Sequence, residues 1–225
     1  MDDPLDNLDF LIGDILASPG GQERDTLETD RMPTPRALRR QAKRRFRRHG
    51  QRQALTEIIE APPEPGESIH VISGSKFDFW TWVPVLVDMI GRAETFYAST
   101  WTLNRDTVVE LFELCDADKI EPAAVSFVTG IYFKRRETAT YATLLAGIRQ
   151  RGGRYRAFLN HAKVLLLSNE AADAWLVIEG SANLTSNPRW EQYVITNDRA
   201  LYDFHREWFE DMLGRHKPEP ELPRG

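Results

Sequence analysis

Cysteine is nearly absent from the sequence, since Cys115 is the single one among 225 residues. One thiol excludes an intramolecular disulfide and a cysteine-based zinc site, and it is typical of proteins in reducing compartments. Apolar runs fall short of the roughly 18 residues that a membrane-spanning helix requires. The N-terminus is acidic and lacks the basic and apolar pattern of a secretory signal. These absences predict a cytoplasmic protein without a membrane anchor, and an apolar fraction of 41% is enough for a globular core.

Acidic residues are missing from one segment of a chain whose net charge is -5. Ten of the 29 basic residues lie between Arg31 and Arg52, and none of the 34 acidic residues does. Such a segment predicts contact with a polyanion, since the acidic remainder of the chain would repel one. The alternative is that the basic segment folds back onto the acidic part of the same chain.

Proline and glycine indicate the domain boundary. A helix is expected to begin at Thr34, which can cap free backbone N–H groups, with Pro35 at the first helical position. The segment Ala61-Pro62-Pro63-Glu64-Pro65-Gly66 cannot continue a helix and is typical of a linker. The expected parts are an acidic, flexible N-terminal segment (1–33), a basic helical arm (34–60), the proline-rich linker (61–66), the main domain (67–215) and a flexible tail (216–225).

Short apolar segments alternate with amphipathic ones in the main domain, which predicts an α/β fold. Three closely spaced strands follow Gly153, and together with the earlier alternation they favour a mixed β-sheet flanked by helices. No internal repeat is present. Strands are expected at Ile69–Ser73, Thr95–Thr100, Ala123–Val128, Tyr155–Leu159 running into His161–Leu167, Trp175–Gly180 and Gln192–Thr196, and helices at Phe79–Ile90, Thr107–Cys115, Tyr141–Arg151 and Arg199–Leu213.

Five polar residues in the last part of the domain are expected to converge at one end of the sheet. The predicted strands around them are joined by a polar connection of hairpin length. If these strands pair antiparallel, the start of the first lies beside the end of the second. His161 and Lys163 then share one face of the first strand, and Ser181 and Asn183 follow the second. The next short connection brings Glu191 to the same end.

The chemistry of these side chains suits an anionic phosphoester. Lys163 would neutralise phosphate charge, while Ser181 and Asn183 would donate hydrogen bonds to non-bridging oxygens. His161 could attack phosphorus, and Glu191 would hold the imidazole by its other nitrogen and so fix the tautomer. The predicted site therefore contains a nucleophile, a group that orients it and a clamp for the phosphate oxygens.

The spacing of these residues resembles a known family pattern. His161-Ala162-Lys163, then Gly180-Ser181-Ala182-Asn183-Leu184-Thr185 and finally Glu191 resemble the H-x-K, G-S-x-N and Glu pattern of the phospholipase D superfamily, in the form found in its small nucleases and metal-independent restriction endonucleases. The order of elements is similar over roughly His70 to Leu213. The resemblance implies a phospholipase D-like fold, a phosphohistidine formed on His161, and no metal or cofactor.

One residue of the family motif is different in this chain. An Asp usually lies five residues after the Lys, and this chain has Ser168 at that position. Some nuclease-like members lack the Asp, so the change is compatible with activity. An inactive, degenerate site is the alternative.

Only one copy of the motif is present, and this predicts a homodimer. In the family, one His forms the covalent intermediate and the His of a second motif protonates the leaving group. A chain with a single motif and no repeat would obtain the second His from a second copy of itself, about a two-fold axis through the site. The two imidazoles would then titrate as a coupled pair.

Loops after other strands are expected to complete the pocket, because ligands of open α/β sheets collect near strand ends. Trp101 could stack on a base, although a Trp at a strand end is more often structural. Arg189 adjoins Glu191 in the sequence. The candidate substrate-binding residues are Ser75, Lys76, Trp101 and Arg189.

Nucleic acid is the expected partner, because the basic arm would neutralise backbone phosphates. The arm lacks the broad apolar face of a membrane-binding helix, so no membrane partner is expected. A metal-independent nuclease acting on DNA or RNA is therefore predicted. The alternatives are an inactive nucleic-acid-binding or assembly protein that keeps the fold, as in a bacterial or phage accessory protein, and a lipid phosphodiesterase. The arm residues expected to bind nucleic acid are Arg36, Arg39, Arg40, Lys43, Arg44, Arg45, Arg47 and Arg48.

Overall fold

The computed structural model describes residues 48–186 and 189–214. Within these ranges the chain forms one mixed β-sheet with helices on both faces. The predicted acidic segment, most of the predicted basic arm and the predicted tail lie outside the described residues. The described strands are β1 (Ser68–Ile72), β2 (Thr95–Thr100), β3 (Val125–Gly130), β4 (Arg154–Phe158), β5 (Val164–Asn169), β6 (Ala174–Gly180) and β7 (Gln192–Asn197).

The strands are ordered β1-β7-β6-β5-β2-β3-β4 across the sheet. β2, β3 and β4 are parallel to one another, and the other neighbouring pairs are antiparallel. The parallel strands require crossover helices, whereas the antiparallel ones follow each other through short connections. The described helices are α1 (48–56), α2 (Trp82–Ile90), α3 (Arg105–Asp116), α4 (Ile131–Arg136), α5 (Thr138–Gln150) and α6 (Arg199–Gly214).

Both faces of the sheet are buried, as β5 illustrates. Leu165 and Leu167 belong to the larger hydrophobic core, whereas Val164 and Leu166 belong to a second core on the opposite face. The alternation follows from the two-residue period of a strand. α6 covers the second face by packing on β3, β4, β5 and β6, and the other long helices contribute to the larger core. The predicted mixed sheet flanked by helices is confirmed.

The strand that was expected to carry the catalytic His begins later than predicted. β5 starts at Val164, so His161 and Lys163 lie in an irregular segment that precedes it. Hydrogen bonds from the side chains of Asn160 and Ser99 hold this segment where a strand ladder is absent. The helix α4 was not predicted, because its six residues carry no helical period of apolar residues.

The end of the predicted basic arm belongs to the domain. Leu55 and Ile59 are buried in the larger core. Arg48 and Arg52 both bind Glu110 of α3, the first with an Nη1 to Oε2 distance of 2.5 Å. Residues that precede the proline-rich segment 61–66 therefore contribute side chains to the same core as the sheet.

No helix within residues 48–186 and 189–214 combines the length and the apolarity that crossing a membrane requires.

Candidate active site

Three neighbouring strands bring the predicted catalytic residues to one edge of the sheet. The backbone N–H of Gly180 donates to the carbonyl oxygen of Lys163 at 3.2 Å, which joins the segment before β5 to the end of β6. The N–H of Ser181 donates to the carbonyl oxygen of Gln192 at 3.1 Å, which joins the end of β6 to the start of β7. The three motif segments thus meet through backbone hydrogen bonds.

The close packing of the end of β6 against the start of β7 requires a glycine at position 180. A Cβ atom at this position would lie 2.6 Å from Cδ1 of the Tyr193 ring and 3.2 Å from the Gln192 carbonyl oxygen. Real Cβ atoms do not approach a ring carbon so closely, so a side chain here would push β6 away from β7. The glycine of the G-S-x-N motif is therefore explained by packing against β7.

His161 and Lys163 form a contact pair at the surface. The Nζ atom of Lys163 lies 2.6 Å from Nδ1 and 3.3 Å from Nε2 of His161, and it also donates to the His161 carbonyl oxygen at 2.6 Å. His161 is exposed. Partial burial lowers the pKa of Lys163, and the negative charge of Glu191 opposes this effect. An ammonium, an imidazole and a carboxylate therefore influence one another at this edge.

Asn160 fixes the irregular segment that carries His161. Its buried amide Nδ2 donates to Ser99 Oγ at 2.9 Å and to the Thr100 carbonyl oxygen at 3.4 Å. Its Oδ1 accepts from the N–H of Ala162 at 3.1 Å, and Ser99 Oγ donates to the Ala162 carbonyl oxygen at 3.0 Å. The residues on both sides of His161 are thereby tied to the end of β2. Asn160 was not predicted from the sequence as part of the site, although Asn is a residue type whose side chain often bonds the local backbone.

Glu191 contacts a different partner from the one predicted. Its carboxylate accepts a short hydrogen bond from Ser181 Oγ, which in turn accepts from the Gln192 N–H at 3.2 Å. The backbone N–H of Ser73 donates to the Glu191 carbonyl oxygen at 2.9 Å. The backbone N–H of Glu191 donates to Ser73 Oγ at 3.3 Å. The structure gives Glu191 no hydrogen bond to His161 among the described residues, so the expected carboxylate–imidazole contact is replaced by a carboxylate–hydroxyl contact.

Asn183 is oriented by the end of β2. Its Oδ1 accepts from the backbone N–H of Trp101 at 3.3 Å and from Thr100 Oγ1 at 3.4 Å. Because a backbone N–H can only donate, these contacts assign the oxygen and thus the direction of the amide Nδ2. The N–H of Leu184 donates to Thr100 Oγ1 at 3.2 Å and holds the following residue as well.

The four predicted substrate-binding residues differ in their surroundings. The Trp101 ring lies beside the His161 ring, with 5.9 Å between the centroids and an interplanar angle of 47°. Ser75 and Lys76 are exposed in the turn after β1, where Ser75 has a left-handed φ of 64°. That turn adjoins Glu191 through Ser73. Arg189 is exposed in the connection before Glu191.

Arg48 does not fit its predicted role, because its guanidinium binds Glu110 and only 19% of its side chain is exposed. A paired and largely covered cation contributes little to binding a polyanion. The other predicted arm residues, Arg36, Arg39, Arg40, Lys43, Arg44, Arg45 and Arg47, lie outside the described residues.

Ser168, which replaces the Asp of the family motif, is remote from the site. It lies five residues after Lys163 along β5, about 16 Å away at the usual rise of about 3.3 Å per residue. Its buried hydroxyl bonds Thr95 Oγ1 at 2.6 Å, and Thr95 also bonds the Tyr202 hydroxyl of α6. The substitution therefore affects how α6 is held on the sheet and does not change the side chains beside His161.

Several solved structures are similar to part of this chain. One is Nuc, a phospholipase D family member from Salmonella typhimurium, with 18% identity, a TM-score of 0.46, and coverage of 64% of this chain and 93% of that one. Another is NucT from Helicobacter pylori, with 14% identity, a TM-score of 0.45, and coverage of 66% and 97%.

A third similar structure is a polyphosphate kinase from Porphyromonas gingivalis, with 14% identity and a TM-score of 0.48. The match covers 70% of this chain and 27% of that one. No protein-family model and no curated protein matches the chain.

Proposed function

We propose that this protein is a metal-independent phosphodiesterase that cleaves nucleic acid through a phosphohistidine on His161. The observation that carries the proposal is the exposed imidazole of His161 in contact with the Lys163 ammonium, at the edge where Ser181, Asn183 and Glu191 meet. A nucleophile beside a cation and oriented hydrogen-bond donors is the arrangement that transfer of a phosphoryl group requires.

In the proposed reaction, a ring nitrogen of His161 attacks phosphorus and the bond from phosphorus to the leaving oxygen breaks. Lys163 turns from the imidazole to a non-bridging oxygen, and the oriented Nδ2 of Asn183 donates to another. The leaving oxygen takes a proton from a second imidazole. Water then attacks the phosphohistidine, loses a proton to that second imidazole, and regenerates His161. Glu191 acts on this centre through the Ser181 hydroxyl and through its charge on Lys163.

The second imidazole is proposed to come from a second copy of the chain. The sequence has one motif, and exposed apolar side chains lie beside two of its segments, with exposed fractions of 67% for Leu159 before His161 and 78% for Trp190 before Glu191. Ile72, which pairs with Gln192, is 58% exposed. Apolar groups around a polar centre favour contact with another protein surface. The test mixes equal amounts of wild type and His161→Ala and allows their subunits to exchange. If each active site needs His161 from both copies, the mixture should have about a quarter of the activity of the same total amount of wild type, because random pairing makes about a quarter of the dimers fully wild type. About half would remain if each chain acts alone.

Nucleic acid is proposed as the substrate because a strongly basic segment lies directly before the domain. Since Glu110 binds Arg48 and Arg52, the proposed contact is assigned to the preceding basic residues.

The test is cleavage of labelled DNA and RNA by the purified full-length protein in EDTA. We expect His161→Ala to abolish cleavage, because no other group replaces the nucleophile, while His70→Ala, which alters an exposed histidine on β1, cleaves as wild type does. Equal thermal unfolding of both variants would show that folding is unaffected.

Each other outcome contradicts the proposal in a distinct way. Polynucleotide binding without cleavage by wild type would support an inactive binding protein. Release of headgroup from phospholipid vesicles without affinity for polynucleotide would support a lipid phosphodiesterase. Cleavage that persists in His161→Ala would remove this residue from the reaction.

A further inference from the structure

A basic side chain outside the motif lies next to the candidate site. The Arg136 guanidinium carbon is 5.8 Å from the centroid of the Trp101 ring, and that ring is 5.9 Å from the His161 ring. The two distances place the guanidinium within about 12 Å of the imidazole. Arg136 is exposed, so its charge is available to a ligand that occupies the site.

The Trp101 ring that supports Arg136 is itself held in place. The backbone N–H of Trp101 donates to Asn183 Oδ1, and its carbonyl oxygen accepts from the Gly130 N–H at 3.1 Å. A Cβ on Gly130 would lie 2.4 Å from Cδ1 of the Trp101 ring. The ring therefore occupies the space that the Cβ atom of any other residue at position 130 would fill. The position of Trp101 is set by the end of β3 and by Asn183 in the segment after β6.

Arg136 ends a strongly basic turn. The last turn of α4 contains Lys134, Arg135 and Arg136, and α4 directly follows the end of β3, on the same edge of the sheet as His161. Cations near a helix C-terminus are favoured by the helix dipole. A cation held over an aromatic face keeps its charge while its position is restricted.

We propose that Arg136, positioned by Trp101, binds a phosphate neighbouring the one cleaved at His161, so that the ligand is a polynucleotide strand. This inference rests on the proposed function. A nucleic-acid strand carries one phosphate per about 3.4 Å of rise, so a strand that crosses His161 brings another phosphate within reach of Arg136. A guanidinium binds phosphate oxygens through paired N–H donors. A phosphodiester without a neighbouring phosphate gains nothing from this contact.

The inference predicts a difference between two substrates. For Arg136→Ala, kcat/KM with an oligonucleotide should fall about tenfold, the size of one charge-assisted contact, mainly through KM. With bis(p-nitrophenyl) phosphate, which has a single phosphodiester, kcat/KM should be unchanged. The matched control is Arg149→Ala, which removes an exposed arginine near the end of α5, at the opposite end of the sheet. It should leave both substrates unaffected.

Binding provides a test that does not depend on cleavage. Fluorescence anisotropy of a labelled oligonucleotide at several salt concentrations should show weaker binding by Arg136→Ala, with the slope of log K against log salt reduced by about one. Trp101→Ala should weaken binding similarly, and the double variant should add little, because the two residues act as a unit.

The outcomes separate this inference from the proposed function. If wild type cleaves neither substrate but Arg136→Ala weakens binding with the expected salt slope, the proposed function fails and the subsite stands. If Arg136→Ala binds and cleaves the oligonucleotide as wild type does, or loses activity equally on both substrates, the subsite is wrong whether or not His161 is catalytic.

Discussion

The two ends of β5 use polar side chains in opposite ways. At one end, Asn160 is buried and holds a segment whose next residue, His161, is exposed. At the other end, Ser168 is buried and its hydroxyl is satisfied by Thr95, which also bonds Tyr202. Both ends satisfy their buried polar groups, as folded proteins must. They differ in that the first places the exposed imidazole of His161 beside the Lys163 ammonium, whereas the hydroxyl of Ser168 at the second is buried in a contact with Thr95.

Two asparagines at the two ends provide the sharpest test of this comparison. The amide of Asn160 donates to two acceptors and accepts one backbone N–H, and Asn169 does the same with Ile90, Arg92 and Ala172. Each Asn→Ala change should lower the free energy of unfolding by roughly 1–3 kcal/mol, because acceptors and donors lose their partner.

Only Asn160→Ala should also lower kcat, by up to about 100-fold, because it releases the segment that positions His161. KM should change little, since Asn160 is buried behind the segment. The measurements are urea unfolding and steady-state cleavage for both variants. Equal kcat values for Asn160→Ala and Asn169→Ala would contradict a positioning role for Asn160.

The pH dependence of cleavage tests the role of Lys163, which lies just before β5 at the end that carries His161. Burial lowers the pKa of Lys163, more than the charge of Glu191 raises it. A lysine is charged below its pKa, so cleavage should be present at lower pH and lost as pH rises through a value below that of an ordinary lysine. Lys163→Arg should move this alkaline limb upward, because a guanidinium stays charged. An unchanged limb in kcat/KM of Lys163→Arg, with circular dichroism showing folded protein, would assign the limb to another group.

The smallest effect is expected at the buried end. Ser168→Ala should lower the free energy of unfolding by about 1 kcal/mol, the net value of a typical hydrogen bond. Cleavage should be unaffected, since Ser168 bonds Thr95 and lies far from His161 along the strand. A loss of activity that exceeds the loss of stability would mean that the position of the family Asp matters to chemistry in this chain.

Much of the sheet was predictable from local patterns. β2 was predicted with the bounds that the structure shows, and β6 and β7 within one residue. β2 and β6 are largely buried on both faces, so their apolar runs are continuous and end at polar residues, whereas β7 alternates between buried and more accessible residues. α4 was missed because it is short, and the start of β5 was misplaced because the side chain of Asn160 provides hydrogen bonds that a strand ladder would otherwise make.

The site was predictable as a set of residue types and not as a set of contacts. The sequence indicated that His161, Lys163, Ser181, Asn183 and Glu191 would meet, since antiparallel neighbours bring strand ends together. It assigned Glu191 to the imidazole, whereas the carboxylate bonds Ser181. Alternation of side chains along a strand does not specify which neighbour a carboxylate reaches, because that depends on the separation of strand ends in space.

The amino-acid sequence by itself determined the order of strands and helices, the burial of both faces of the sheet and the chemical types collected at its edge, because these follow from local periodicity and short connections. Only the tertiary structure decided which arginine side chains form an ion pair within the protein and which lie near the proposed site. Arg48 is bound by Glu110, 62 residues away, whereas Arg136 lies over Trp101 beside His161. The two arginines look alike in the sequence, and they differ because long-range packing places one beside a carboxylate and the other over an aromatic ring.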